Sequence, residues 1–151
     1  MMTALTKNQG NKIKRKPVIN PSLNRHVIFL SYAGLLPFFA LAIATFFKIP
    51  FAQAWFCIYS AIIVAFLAGN QWLSLNTATA YLYHSNALAI VAAMAIILHS
   101  FSTLASIMML ITAYFWLLMI EYKQGITGQY RTLRIRLSAT VVSLHLIVLL
   151  A

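Results

Sequence analysis

Few residues in this chain could do chemistry: one acid (Glu121), four histidines, one cysteine, and the arginines at 131, 134 and 136. A single carboxylate leaves little general acid or base capacity, so the chain reads as no enzyme. Cys57 stands alone inside an apolar run, which excludes an intrachain disulfide and any cysteine-based metal site. His99 and His145 fall at a similar depth when apolar runs are laid out as helices, so bis-histidine haem ligation is an alternative. No local spacing motif supports it, and the expectation is no cofactor and no metal; His26 and His84 read as interfacial residues. Glu121 is expected to pair with Arg134 or Arg131 and clamp two neighbouring helices. The functional alternative is a basic pocket for an anionic headgroup, with Arg134 and Arg136 as donors.

A second set of candidates is polar and uncharged. Asn70, Gln71, Trp72, Ser74 and Asn76 close one apolar run, Ser31 and Tyr32 lie near the start of another, and Tyr130 leads into the last. Unpaired polar groups are costly in hydrocarbon, so Tyr32, Asn70, Gln71, Trp72, Ser74, Arg134 and Arg136 are expected to converge in one hydrogen-bonded layer. That layer is the candidate ligand site. Asn70 and Ser74 share a helix face at the i, i+4 spacing.

The elements that must position these residues follow from composition. Of 151 residues, 62% are hydrophobic and 8% charged, against roughly a quarter charged in a soluble domain. Such a chain needs the bilayer as solvent. A span takes about 20 apolar residues, and five stretches qualify: 27–47, 51–75, 81–99, 103–120 and 133–150. The expectation is an all-α membrane protein, a bundle of five transmembrane helices. Residues 99–103 are expected to form a tight hairpin, because the apolar stretch 88–120 is too long for one span.

Charge sets the expected orientation. The net charge is +10. Lys7, Lys12, Lys14, Arg15, Lys16 and Arg25 precede the first span, Lys123, Arg131, Arg134 and Arg136 cluster between the last two, and only Lys48 lies elsewhere. Cations stay on the cytoplasmic side, so an odd number of spans is expected, with the N-terminus cytoplasmic and the C-terminus external. Residues 1–26 read as a basic, disordered cytoplasmic tail that lies on anionic lipids, as does the Arg131–Arg136 cluster. The placement of the cations argues against a nucleic-acid partner, which would need a wet basic surface. Cleavage at the A-x-A of Ala52 to Ala54 is not expected, because the preceding apolar run exceeds the 7–15 residues of a cleavable signal.

Small residues mark helix contacts in lipid. Ala61, Ala65 and Gly69 recur every four residues, as do Ala40 and Ala44, and Ala89 and Ala93, which makes the second span central. Gly34 and Pro37 are expected to loosen or kink the first span. No carboxylate falls between the interfaces, five spans do not divide into two equal repeats, and the charge bias is one-sided. These features disfavour an ion-coupled carrier, an internally duplicated transporter and a dual-topology dimer.

Three segments resemble a known family. Tyr32-Ala33-Gly34-Leu35-Leu36-Pro37-Phe38 is similar to the Gly-Leu-x-Pro-Phe opening of domain-of-unknown-function family 3429, which includes the eukaryotic transmembrane protein 69 group. Tyr59 through Phe66-Leu67-Ala68-Gly69-Asn70-Gln71-Trp72 resembles that family's Tyr, Phe-Leu-Gly-Gly and Trp stretch. Tyr130-Arg131-Thr132-Leu133-Arg134-Ile135-Arg136-Leu137 resembles its closing Tyr-x-x-Leu-Arg-x-x-Leu segment. Ala68 stands where the family more often has a second Gly, and Asn70-Gln71 replaces an apolar residue and a His. The resemblance implies a small multi-spanning protein of the bacterial inner membrane, with mitochondrial relatives, and no established activity. The five-helix tryptophan-rich sensory proteins do not fit a chain with only Trp55, Trp72 and Trp116. The functional expectation is a non-catalytic accessory, assembly or stabilising component of a larger membrane complex. The alternative is a binder or carrier of a lipophilic or anionic small molecule at the cytoplasmic-side polar layer.

Overall fold

The computed structural model describes residues 25–71, 79–125 and 128–151, all of them helix or short connection. Six helices form: α1 (Arg25–Ala33), α2 (Leu36–Phe46), α3 (Ala52–Asn70), α4 (Thr79–His99), α5 (Thr103–Lys123) and α6 (Gly128–Leu150). Taken together, α1 and α2 make one span, and the described residues hold five helices long and apolar enough to cross a membrane. The protein is an all-helical, multi-pass membrane protein. Of the basic tail expected at 1–26, residues 1–24 lie outside the described residues, as does the end of the second span (72–75), while Arg25 and His26 open α1.

The first span breaks where Gly34 and Pro37 fall. Pro37 lacks an N–H, so the helical ladder cannot run through it, and the chain restarts with Pro37 in the first turn of α2. Leu35 N–H bonds to the Tyr32 carbonyl at 3.0 Å as the turn tightens. Tyr59 on α3 donates its hydroxyl to the Gly34 carbonyl at 2.9 Å, so the irregular backbone is satisfied by a neighbouring helix.

Connections are short and capped. After α2, Lys48 takes a left-handed conformation (φ 56). Its N–H reaches the Thr45 carbonyl and Ile49 N–H reaches the Ala44 carbonyl, which completes a Schellman stop. Between α4 and α5, Ser102 is an extended N-cap that accepts from Ala105 N–H at 3.3 Å. This is the hairpin expected at 99–103. After α5, Gly125 and Gly128 adopt φ of 74 and 73, a geometry that favours glycine, and they turn the chain back on itself.

The facing ends of α5 and α6 lie three and five residues from where the sequence puts them. α5 continues to Lys123 instead of stopping at Ile120, and α6 begins at Gly128, five residues before Leu133. Polar residues ended the apolar runs, yet a spanning helix continues into the interface while its long cationic side chains snorkel outward. Arg131 is therefore a helical residue of α6, as Arg134 and Arg136 are, and not a loop residue.

The helices close a ring in which each of α2 to α6 packs on its neighbours, with α3 and α5 also meeting across it. As expected, the second span is central: α3 touches α2, α4 and α5. The stripe that does this is not the one expected. Cys57, Ala61, Val64 and Ala68 are buried, whereas Gly69 is exposed and a Cβ there would meet nothing. A strict four-residue step advances 400° against a 360° turn, so Gly69 sits about 80° around from Ala61. Likewise Ala42 is buried and Ala40 exposed on α2, and Ala92 and Ala95 are buried on α4 where Ala93 is exposed. Serines bind the helices where small residues bring them close. Ser85 donates to the Ala68 carbonyl, and Ser106 donates to the Ala95 carbonyl at 2.7 Å.

Candidate functional site

Helix alternation gathers the described cations Arg25, Lys123, Arg131, Arg134 and Arg136 at one end of the bundle, with Lys48 at the other. At the basic end, Glu121 and Arg134 form a buried pair, 6% and 8% exposed. The guanidinium donates from Nε to both carboxylate oxygens at 2.9 Å and from Nη2 to Oε1. Arg131, the other partner considered from sequence, lies instead over the Tyr122 ring at 4.7 Å. The Gly125 and Gly128 turns make the pair possible by folding α6 back along α5 within thirteen residues.

Beside the pair lies a cavity of about 330 Å³ between α1, α3 and α6, with Tyr114 of α5 at its wall. Its polar lining is Ser31, Asn70, Tyr114, Tyr130, Arg134 and Ser138; its apolar lining includes Leu35, Ile63, Leu67 and Leu137. Val27, Leu30 and Phe66 also line it and are exposed on the outer surface of the bundle. The cavity therefore opens sideways, toward the hydrocarbon. α1 forms its outer wall and has no buried residue of its own.

The expected single polar layer resolves into separate pieces. Asn70 and Arg134 do share the cavity. Tyr32 does not: the α1 residues facing it, Val27, Leu30, Ser31 and Gly34, follow i, i+3, i+4, i+7, and Tyr32 is exposed off that stripe. Gln71, one residue or 100° on from Asn70, accepts a 2.6 Å hydrogen bond from Gln124 at the end of α5. Arg136 is 200° around α6 from Arg134 and exposed, so the two do not form a joint anion site. Trp72 and Ser74 lie outside the described residues, as does the face shared by Asn70 and Ser74.

Deeper in the bundle is a polar network that joins His145, weighed above only as a haem ligand, to Ser60 and Tyr114, which sequence reading did not single out. His145 is fully buried against Phe38, Phe56 and Tyr114. Its Nδ1 lies 2.8 Å from the Val141 carbonyl, which requires an N–H there, so Nε2 is left to accept from the Ser60 hydroxyl at 2.9 Å. Tyr114 completes the set by donating to the Ser60 carbonyl at 3.3 Å. The signal was present on α6, where Arg134, Ser138, Val141 and His145 step by four, three and four along one face, and on α5, where Tyr114 and Glu121 are seven apart.

The geometry does not bring together the two histidines of the haem alternative. Nε2 of His145, the nitrogen an iron would need, is engaged by Ser60. His99 belongs elsewhere, lining an opposite-end cavity of about 380 Å³ with Lys48, Gln53 and Ala151. His145 sits six residues, about 9 Å of helix, inward from Ala151, so the two histidines differ in depth. Among the described residues, no three His, Cys, Asp or Glu side chains group as metal ligands. Ser60 and His145 resemble a nucleophile and base, but Ser60 is fully buried and His145 has a backbone carbonyl where a catalytic pair would place an acid.

Comparison with known proteins returns one family. The family model described as "Protein of unknown function (DUF3429)" matches residues 23–150, nearly all of the bundle. No curated protein and no solved structure matches. The three motifs behind the resemblance sit at the α1/α2 break, along α3, and at the start of α6, the elements that enclose the cavity. The chain belongs to the DUF3429 family.

Proposed function

We propose that the protein is a non-catalytic binder of a lipophilic small molecule, held in the cavity between α1, α3 and α6. The observation that carries this reading is a 330 Å³ cavity with apolar walls, convergent polar groups and a mouth toward the bilayer. Small-molecule sites combine these features and start near 300 Å³. A broken spanning helix next to a cavity is also how membrane proteins admit ligands at depth. The polar groups that could drive a reaction are committed elsewhere: the one acid is paired with Arg134, and the Ser60–His145 contact is sealed. The basic end faces the cytoplasm in this proposal, by the positive-inside bias, with Arg131 and Arg136 on anionic headgroups.

Ser138 lines the cavity at 5% exposure, so Ser138→Phe fills it. Protein purified in mild detergent and extracted for mass spectrometry is expected to carry one enriched lipophile in the wild type, reduced about tenfold or more in Ser138→Phe. Leu146→Phe, on the lipid-facing surface, should retain it. Equal lipid profiles in all three proteins would remove the proposal.

A further inference from the structure

The cavity wall has a chemical bias that says which end of a lipophile it receives. Arg134, Tyr130 and Asn70 line it and carry N–H or O–H donors, while the Tyr114 hydroxyl at its wall is already given to the Ser60 carbonyl. The chain's one carboxylate, Glu121, does not line it. A wall of donors without an acid does not suit an amine or other cationic head.

Charge narrows the class further. Among the described residues, Arg134 is the only ionised side chain lining the cavity, and Glu121 binds it through Nε and Nη2 at three hydrogen bonds. The two charges sum to zero in a place where both are more than nine-tenths buried. An anion entering there would lose its hydration with no net positive charge to replace it. A carbonyl oxygen loses far less and needs only a donor. Nη1 of Arg134 has no partner among the described residues, so the ion pair leaves a donor over. The mouth between exposed Leu30 and Phe66 admits molecules from hydrocarbon, where neutral species are at home.

We infer that the cavity takes the neutral, carbonyl-bearing end of a single-chain or single-ring lipophile, and that Glu121 sets this choice by neutralising Arg134. The inference rests on the ligand-binding reading above and adds the chemistry of the head. Two sources supply such a head, the ring carbonyls of a quinone and the ester of a monoacylglycerol.

Native mass spectrometry of the full chain in neutral detergent, titrated with decylubiquinone, monoolein and oleate at pH 8, separates the possibilities. Wild type is expected to bind decylubiquinone or monoolein about tenfold or more tightly than oleate, and the tighter of the two names the source. Glu121→Gln keeps an acceptor for the guanidinium but leaves its charge uncompensated. Oleate should then tighten by about tenfold while the neutral probes move less than about threefold. Oleate binding wild type as tightly as the neutral probes, or unmoved by Glu121→Gln in a variant with wild-type circular dichroism, overturns the inference alone. Failure of all three probes to bind wild type overturns both it and the ligand-binding reading. If Glu121→Gln does not fold, the uncharged double variant Glu121→Gln with Arg134→Gln should keep the preference for neutral probes; a preference for oleate there overturns the inference.

Discussion

Arg134→Ala is expected to destabilise the bundle by about 3–5 kcal/mol, the cost of leaving a buried partner charge alone. The carboxylate of Glu121 accepts three hydrogen bonds from Arg134 and is 6% exposed, so it cannot turn to water without separating α5 from α6. Glu121→Ala with Arg134→Ala removes both charges and should recover most of the loss, because a buried pair contributes little net stability compared with uncharged side chains. The pair is thus a device of registry more than of strength. Unfolding in mixed micelles followed by circular dichroism checks both variants. A double variant as unstable as the single would show that packing of the arginine stem, and not an orphaned charge, dominates.

The second large effect belongs to Phe38. Its ring is 1% exposed and packs edge-on against Phe56 and Tyr59, with centroids at 5.5 and 4.9 Å, and lies 6.2 Å from His145. Phe38→Ala is expected to cost about 2 kcal/mol, less than the roughly 3–5 kcal/mol of a soluble core. In lipid the unfolded reference is already out of water, so the transfer component falls away and the void and lost dispersion contacts remain. Phe38 also lines the ligand cavity, so the same variant should enlarge it and admit bulkier lipophiles. The micelle unfolding assay reads the first effect, and co-purified lipid mass reads the second.

The part of the fold that was legible in the sequence is the part governed by solvent. Apolar runs of bilayer length gave five spans because hydrocarbon tolerates little else. The Gly34 and Pro37 break and the hairpin at 99–103 followed from local chemistry in the same way. Helix ends were less legible, since Glu121 and Arg131 look like loop residues until one sees that each has a partner on a helix. The Ala61, Ala65 and Gly69 stripe misled because spacing of four drifts from the true period of 3.6, and burial follows Ala61, Val64 and Ala68.

The candidate site was half legible. With one acid in the chain, the partners of Glu121 were few, and Arg134 is the one it meets. Asn70 was placed at the same end. Tyr114 and Ser138 were not singled out, because each is an ordinary residue on its own helix and becomes a wall only through the crossing of α1, α3, α5 and α6. The hydrogen-bonded setting of His145, which the sequence offered only as a haem ligand, escaped for a related reason. Its partner Ser60 is 85 residues away, and no spacing along the chain reports a contact made across the bundle.

A photoreactive amino acid at Leu67, which lines the cavity, compared with one at Ile62, which faces outward from the same helix, interrogates the central claim in living membranes. Mass spectrometry of the crosslinked adducts should find one neutral lipophile dominating at Leu67 and the bulk lipid mixture at Ile62. The same mixture at both positions would mean that the cavity is merely a lipid-filled groove, and the account of a selective binding site would be wrong.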